Sequence, residues 1–107
     1  MQIGKQAGLQ PYDLPLRNVF GDALLNVATE NPRVVVLDGD LANSTKADTV
    51  RKAYPERFFN IGIAESNLVG IGAGLAACDF IPWITSFSSF LLCNAYDQIR
   101  LAVAMSN

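Results

Sequence analysis

Glu65, in the stretch NIGIAESN, opens a segment from Ser66 to Cys78 that carries no charged residue. A carboxylate is rarely buried without a partner, so its position asks what it faces. One reading is a first-turn helix acid, favoured by the helix dipole. The other is a carboxylate held in a pocket, able to bind and protonate a nitrogen heterocycle. A second polar cluster follows the apolar run VVVL: Asp38, Asp40, Asn43 and Ser44. A third is FSSF, where Phe87 and Phe90 flank Ser88 and Ser89. Its rings are core aromatics by default, or a wall on which a flat ligand could stack.

Two other patterns carry less. An apolar strand ending in Asp38-x-Asp40 resembles the nucleophile strand of haloacid-dehalogenase-type phosphatases. Ala42 stands where that family has Thr or Val, and no later acidic pair for magnesium follows. The plainer reading is that the two carboxylates satisfy loop amides at a strand end. GIGAG, from Gly70 to Gly74, has Leu75 where a dinucleotide loop needs its third glycine, and its glycines fall inside a helix. With Ala73, Ala76 and Ala77 they leave little side chain, so another helix can approach closely. That contact is either internal or between copies of the chain.

Composition narrows the classes. Of 107 residues, 50% are hydrophobic and 17% charged, the balance of a small globular domain. The formal charge is −2, from 8 basic and 10 acidic residues, with no basic run; nucleic acid is not expected as a partner. The opening MQIGKQAGLQPYD has no signal-peptide apolar core. The charge-free stretch Phe80–Tyr96 contains Pro82 and several Ser and Thr, so no membrane span is expected either. There is no histidine, which removes His-based catalysis and His metal ligands. Cys78 and Cys93 form no CxxC pair and read as buried thiols of a reducing, cytoplasmic compartment.

The elements that must position these residues follow from periodicity. Residues 1–15 read as a surface lead-in, with Pro11 and Pro15, ahead of a partial domain over 16–107. Arg17–Glu30 has apolar residues at helical spacing, stopped by Asn31-Pro32. RVVVLDGD reads as a strand covered on both faces. STKADTVRKAY reads as a polar helix capped by Ser44 or Thr45. RFFNIG is a second strand, Glu65–Cys78 a helix rich in small residues, IPWITSF a third strand and Ser89–Met105 a final helix. The order predicts an α/β fold, a parallel sheet with flanking helices. In such sheets ligands sit beyond the carboxyl ends of the strands, where all three clusters fall.

Taken together, RNVFGDALLNVATENPRVVVLDGDLANST, FFNIGIAESNLVGIGAGLAA and FSSFLLCNAYDQIRLAVA resemble the pyrimidine-binding domain of transketolases, above all the C-terminal subunit of split bacterial and archaeal forms. The sister family, 1-deoxyxylulose-5-phosphate synthase, shares GIAE and AYDQ; DxDLxxST fits transketolase better. The resemblance implies thiamine diphosphate as cofactor and transfer of a two-carbon ketol unit between sugar phosphates. It implies that Glu65 hydrogen-bonds N1′ of the aminopyrimidine and so assists loss of the thiazolium C2 proton. Phe87 and Phe90 match the aromatic wall around that ring. Asp40 matches an acid near the cofactor in the network linking two active sites. Arg17 and Ser44 match residues that hold the substrate's phosphate. Asn94, before AYDQI, stands where close relatives usually have Arg. The resemblance also implies that the domain continues beyond Asn107. It puts the diphosphate and its magnesium on a partner domain or subunit, and homodimer contacts on the Glu65–Cys78 helix. The chain would then be one piece of a site, inactive alone. The rival reading is a non-catalytic dimerisation module in which Glu65 is only a helix-start acid.

Overall fold

A computed structural model describes residues 15–106 of the chain. The lead-in expected over 1–15 lies outside the described residues except for Pro15. Helix α1 spans Leu16–Glu30. Its end is set by Pro32, which disfavours helical backbone at the preceding residue; Asn31 is extended there, at φ −131°. Arg57 closes that end by donating from Nη1 to the carbonyls of Ala28 and Asn31, at 2.8 and 3.2 Å.

Strand β1, Val34–Asp38, is buried along its whole length. Strands β2, Phe58–Asn60, and β3, Ile81–Thr85, flank it in a parallel sheet of order β2-β1-β3. Asp38 is in register with both Asn60 and Thr85, so the three strands end at one edge of the sheet. Both outer strands stop short of the RFFNIG and IPWITSF runs: the chain turns at Gly62, φ 85°, and at Ser86 it leaves the ladder for the next helix. On one face, Val34, Val36 and Phe58 share a core with Leu24 and Ala28 of α1 and with Ala42, Ala47 and Val50. On the other lies helix α4, Glu65–Ala77. A Cβ on Gly72 would stand 2.5 Å from Ile84 Cδ1 and 3.5 Å from Leu37 Cδ1, so glycine is what lets α4 lie this close to the sheet. The helix closes in a Schellman turn: Asp79 takes φ 67°, and the Phe80 N–H reaches the Leu75 carbonyl at 3.1 Å.

Two elements and the cysteines differ from expectation. The polar helix is two short ones, α2 over Ala42–Thr45 and α3 over Asp48–Ala53, separated by Lys46 at φ 67°. The break nests on α1, where a Cβ on Gly21 would lie 2.7 Å from the Lys46 carbonyl oxygen. Thr49 Oγ1 also donates to the Gly21 carbonyl at 2.9 Å. Neither Ser44 nor Thr45 caps a helix start. The final helix is likewise interrupted: α5 covers Ser88–Asn94, α6 covers Tyr96–Gln98, and a π-helical segment covers Ile99–Met105. At the break, the Asn94 carbonyl accepts from Ser66 Oγ at 2.7 Å, and Ala95 is fully buried. Finally, Cys78 and Cys93 are exposed rather than buried. Cys78 sits where α4 ends at the surface and Cys93 on the outer side of α5, so their burial gives no argument for a compartment. No helix among the described residues is long and apolar enough to cross a membrane.

Candidate functional site

The carboxyl edge of the sheet gathers the polar clusters, and it gives the two aspartates different work. Asp38 is 1% exposed. Its Oδ2 accepts from the N–H groups of Leu41 and Ala42 at 2.9 and 3.1 Å, capping α2. Its Oδ1 accepts from Thr85 Oγ1 at 2.9 Å, which fastens the ends of β1 and β3. A carboxylate committed to three donors is a structural tie and no free nucleophile, so the phosphatase-like reading of Asp38-x-Asp40 has no site here. Asp40 is exposed, at φ 64°. Asn60 Nδ2 donates to its Oδ1 at 2.9 Å, joining the loops after β1 and β2 across the top of the sheet.

Glu65 is the first residue of α4, after Ala64 in non-helical backbone, and is 7% exposed. Among the described residues no side chain or backbone donor bonds its carboxylate, and no cation pairs with it. The residue is enclosed, yet neither oxygen of its carboxylate is among the sealed, unpaired side-chain atoms of the described residues, so the carboxylate keeps an opening at the sheet edge. Ser66, its neighbour, is tied to Asn94, so the start of α4 is held against the end of α5. At the other end of α5, Phe87 occupies the N-cap position and Phe90 lies in the first turn. Their rings are 5.6 Å apart between centroids and tilted by 36°. Each residue is 43% exposed. They are therefore a surface aromatic pair and not core.

Arg17 and Ser44 meet in a groove of about 960 Å³. One wall is the start of α1, with Leu16, Arg17, Val19 and Phe20; Ser44 and Thr45 of α2 add to it, and Ile84 to Ser88 form the opposite wall. Phe87 thus faces the same space as Arg17 and Ser44, while Glu65, Phe90 and Asp40 stand outside the groove's lining. The structure divides the expected site into a groove holding the two phosphate candidates and an edge holding the carboxylate, with Phe87 common to the groove and the aromatic pair. Ser44 is the third residue of a four-residue helix, where Asp38 takes the N–H groups of Leu41 and Ala42. Its own N–H is given to the Leu41 carbonyl at 2.9 Å, so its hydroxyl is what it can offer a ligand. Ser86 was not singled out by sequence. Its place in the apparent strand IPWITSF hid it, and only its position past the last ladder residue could have marked it.

The family described as transketolase, pyrimidine binding domain, matches residues 13–107. The chain belongs to the transketolase family, as its pyrimidine-binding domain. It is 42% identical over 89 residues to a Methanocaldococcus jannaschii protein named as a transketolase C-terminal section, covering 83% of this chain and 28% of that protein. It is 38% identical over 104 residues to 1-deoxy-D-xylulose-5-phosphate synthase 1 of Geobacter sulfurreducens, covering 97% of this chain and 16% of that one. In structure it is similar to a split-gene transketolase solved as an inactive β4 tetramer, with a TM-score of 0.73 and 47% identity over 81% of this chain and 29% of the other. The chain therefore spans less than a third of each of these relatives. The parallel sheet with flanking helices is the fold of the transketolase pyrimidine-binding domain, as the sequence leads one to expect. Membership implies dependence on thiamine diphosphate. The residues present fit an aminopyrimidine: a carboxylate on a largely enclosed residue, with no donor among the described residues, at the same sheet edge as an exposed aromatic pair.

Proposed function

We propose that this chain supplies the aminopyrimidine-binding side of a transketolase that moves a two-carbon ketol unit between sugar phosphates. It completes its site with a diphosphate-binding domain or subunit, which also holds the magnesium. The observation that carries this reading is Glu65, a largely enclosed residue opening α4 whose carboxylate has no donor among the described residues and keeps an opening at the sheet edge. When bound, thiamine diphosphate supplies a carbon nucleophile for cleaving the ketose. Glu65 holds a proton at N1′ of the pyrimidine. Phe87 and Phe90 offer ring faces to that heterocycle and keep water from it. Asp40, held by Asn60, stands near the cofactor at the same edge. Arg17 and Ser44 grip the substrate's phosphate from the groove. The split-gene relative supports a separate partner subunit, and α4 offers a small-residue face for contact with a second copy.

Glu65→Gln tests the central role. Gln keeps the shape and cannot exchange the proton, so turnover in enzyme reconstituted with a diphosphate-binding subunit is expected to fall by about 10²–10⁴, with the fold intact. Near-normal turnover at saturating cofactor would refute the assignment. The 38% identity to a 1-deoxyxylulose-5-phosphate synthase over 97% of the chain keeps one second reading in view. Formation of 1-deoxyxylulose 5-phosphate by the reconstituted enzyme, without ketol transfer between sugar phosphates, would select it.

A further inference from the structure

Ser86 carries the one side-chain oxygen among the described residues that is sealed from solvent and has no hydrogen-bond partner. Leaving a buried hydroxyl unpaired is costly, and alanine in its place would carry no such cost. Its surroundings offer it little. A Cβ built on Gly39 would lie 3.3 Å from Ser86 Oγ, so the hydroxyl abuts the turn after β1. There the Gly39 N–H is already given to the Thr85 carbonyl at 3.0 Å. The adjacent Thr85 hydroxyl is given to Asp38. On its other side, Ser86 belongs to the groove wall opposite Arg17 and Ser44 and next to Phe87.

We propose that Ser86 is a substrate-binding residue whose hydroxyl pairs with a hydroxyl of the sugar phosphate, between the phosphate end of the groove at Arg17 and the aromatic end at Phe87. This rests on the reading of the groove as the substrate's path. A serine side chain moves between staggered positions about a single bond. Here Oγ lies against Gly39; on this proposal, rotation about that bond brings it to the groove that the residue lines. A bound polyol gives the second position the hydrogen bond that the first lacks. The groove thus contains a charged grip for the phosphate and a neutral one for the carbon chain, and the neutral one favours substrates with a hydroxyl at that point.

Ser86→Ala separates this role from a structural one. In the full chain, the melting temperature is expected to stay the same or rise, because an unpaired polar group has been replaced by an apolar one. Reconstituted with a diphosphate-binding subunit, the variant should lose roughly two- to tenfold in kcat/KM for sugar phosphates, the measure of one neutral hydrogen bond. The loss should appear in the KM of the sugar phosphate, with thiamine diphosphate affinity unchanged in a titration. A fall in melting temperature would show that the hydroxyl serves the fold. Unchanged kcat/KM in an active enzyme would show that it touches no substrate. A wild-type reconstituted enzyme that transfers no ketol unit would instead remove the underlying reading, and the assignment with it.

Discussion

At the scale of single residues, the structure sorts carboxylates that look alike in sequence. Asp38 and Asp40 share one loop, yet Asp38 is locked by three donors and Asp40 is exposed with one. Spacing shows that both lie at a strand end; it does not show which one turns inward. Glu65 was marked because it heads a charge-free helix, and the residue is 7% exposed; its position does not say what its carboxylate faces. The cysteines were misread because burial statistics for a residue type say nothing of which helix face carries it. Arg17 gives the sharpest test here. It is exposed and lines the groove with Ser44, so Arg17→Ala should leave the melting temperature unchanged. It removes charge-assisted hydrogen bonds to phosphate worth roughly 1.5–3 kcal/mol. The expected result is about a ten- to hundredfold loss in kcat/KM for phosphorylated substrates. Hydroxypyruvate paired with an unphosphorylated acceptor should be little affected. Equal losses for both classes would mean that Arg17 does not read the phosphate.

At the scale of elements, what the sequence shows is what local periodicity can carry. The run VVVLD announces a strand covered on both faces, and the glycine-rich stretch after Glu65 announces a helix in close contact. The breaks were illegible, because their causes lie far along the chain. Lys46 adopts its left-handed turn against Gly21, and the interruption at Ala95 faces Ser66. No pattern confined to residues 44–54 or 89–105 contains those partners. The glycines of α4 also divide in a way that composition cannot reveal. Gly72 packs onto Ile84, whereas a Cβ on Gly70 or Gly74 would meet nothing within 4 Å. Gly72→Ala should therefore destabilise the chain by about 1–3 kcal/mol through overpacking. Gly74→Ala should stabilise it by up to about 1 kcal/mol through helix propensity. Thermal or urea unfolding of the two variants reads the difference. If the outward face of α4 meets a second copy, Gly74→Ala should at the same time weaken self-association in sedimentation. Equal destabilisation by both substitutions would contradict the packing described.

At the scale of the whole molecule, several large apolar side chains lie at the surface. Trp83 is 37% exposed on the α1 side of β3, and Phe87, Phe90 and Tyr96 lie at the surface. The groove beside α1 runs along this side of the sheet. The chain spans under a third of its relatives, and the proposed division of labour places the diphosphate and metal contacts on another domain. One calorimetric titration addresses that division directly. Thiamine diphosphate with magnesium is added to this chain alone, and then to the same chain mixed with a diphosphate-binding transketolase subunit. The account predicts no saturable binding by the chain alone in the micromolar range, and saturable binding by the mixture that is weakened when Phe90 is replaced by alanine. Tight binding by the chain alone, or binding by the mixture that is indifferent to Phe90, would contradict it.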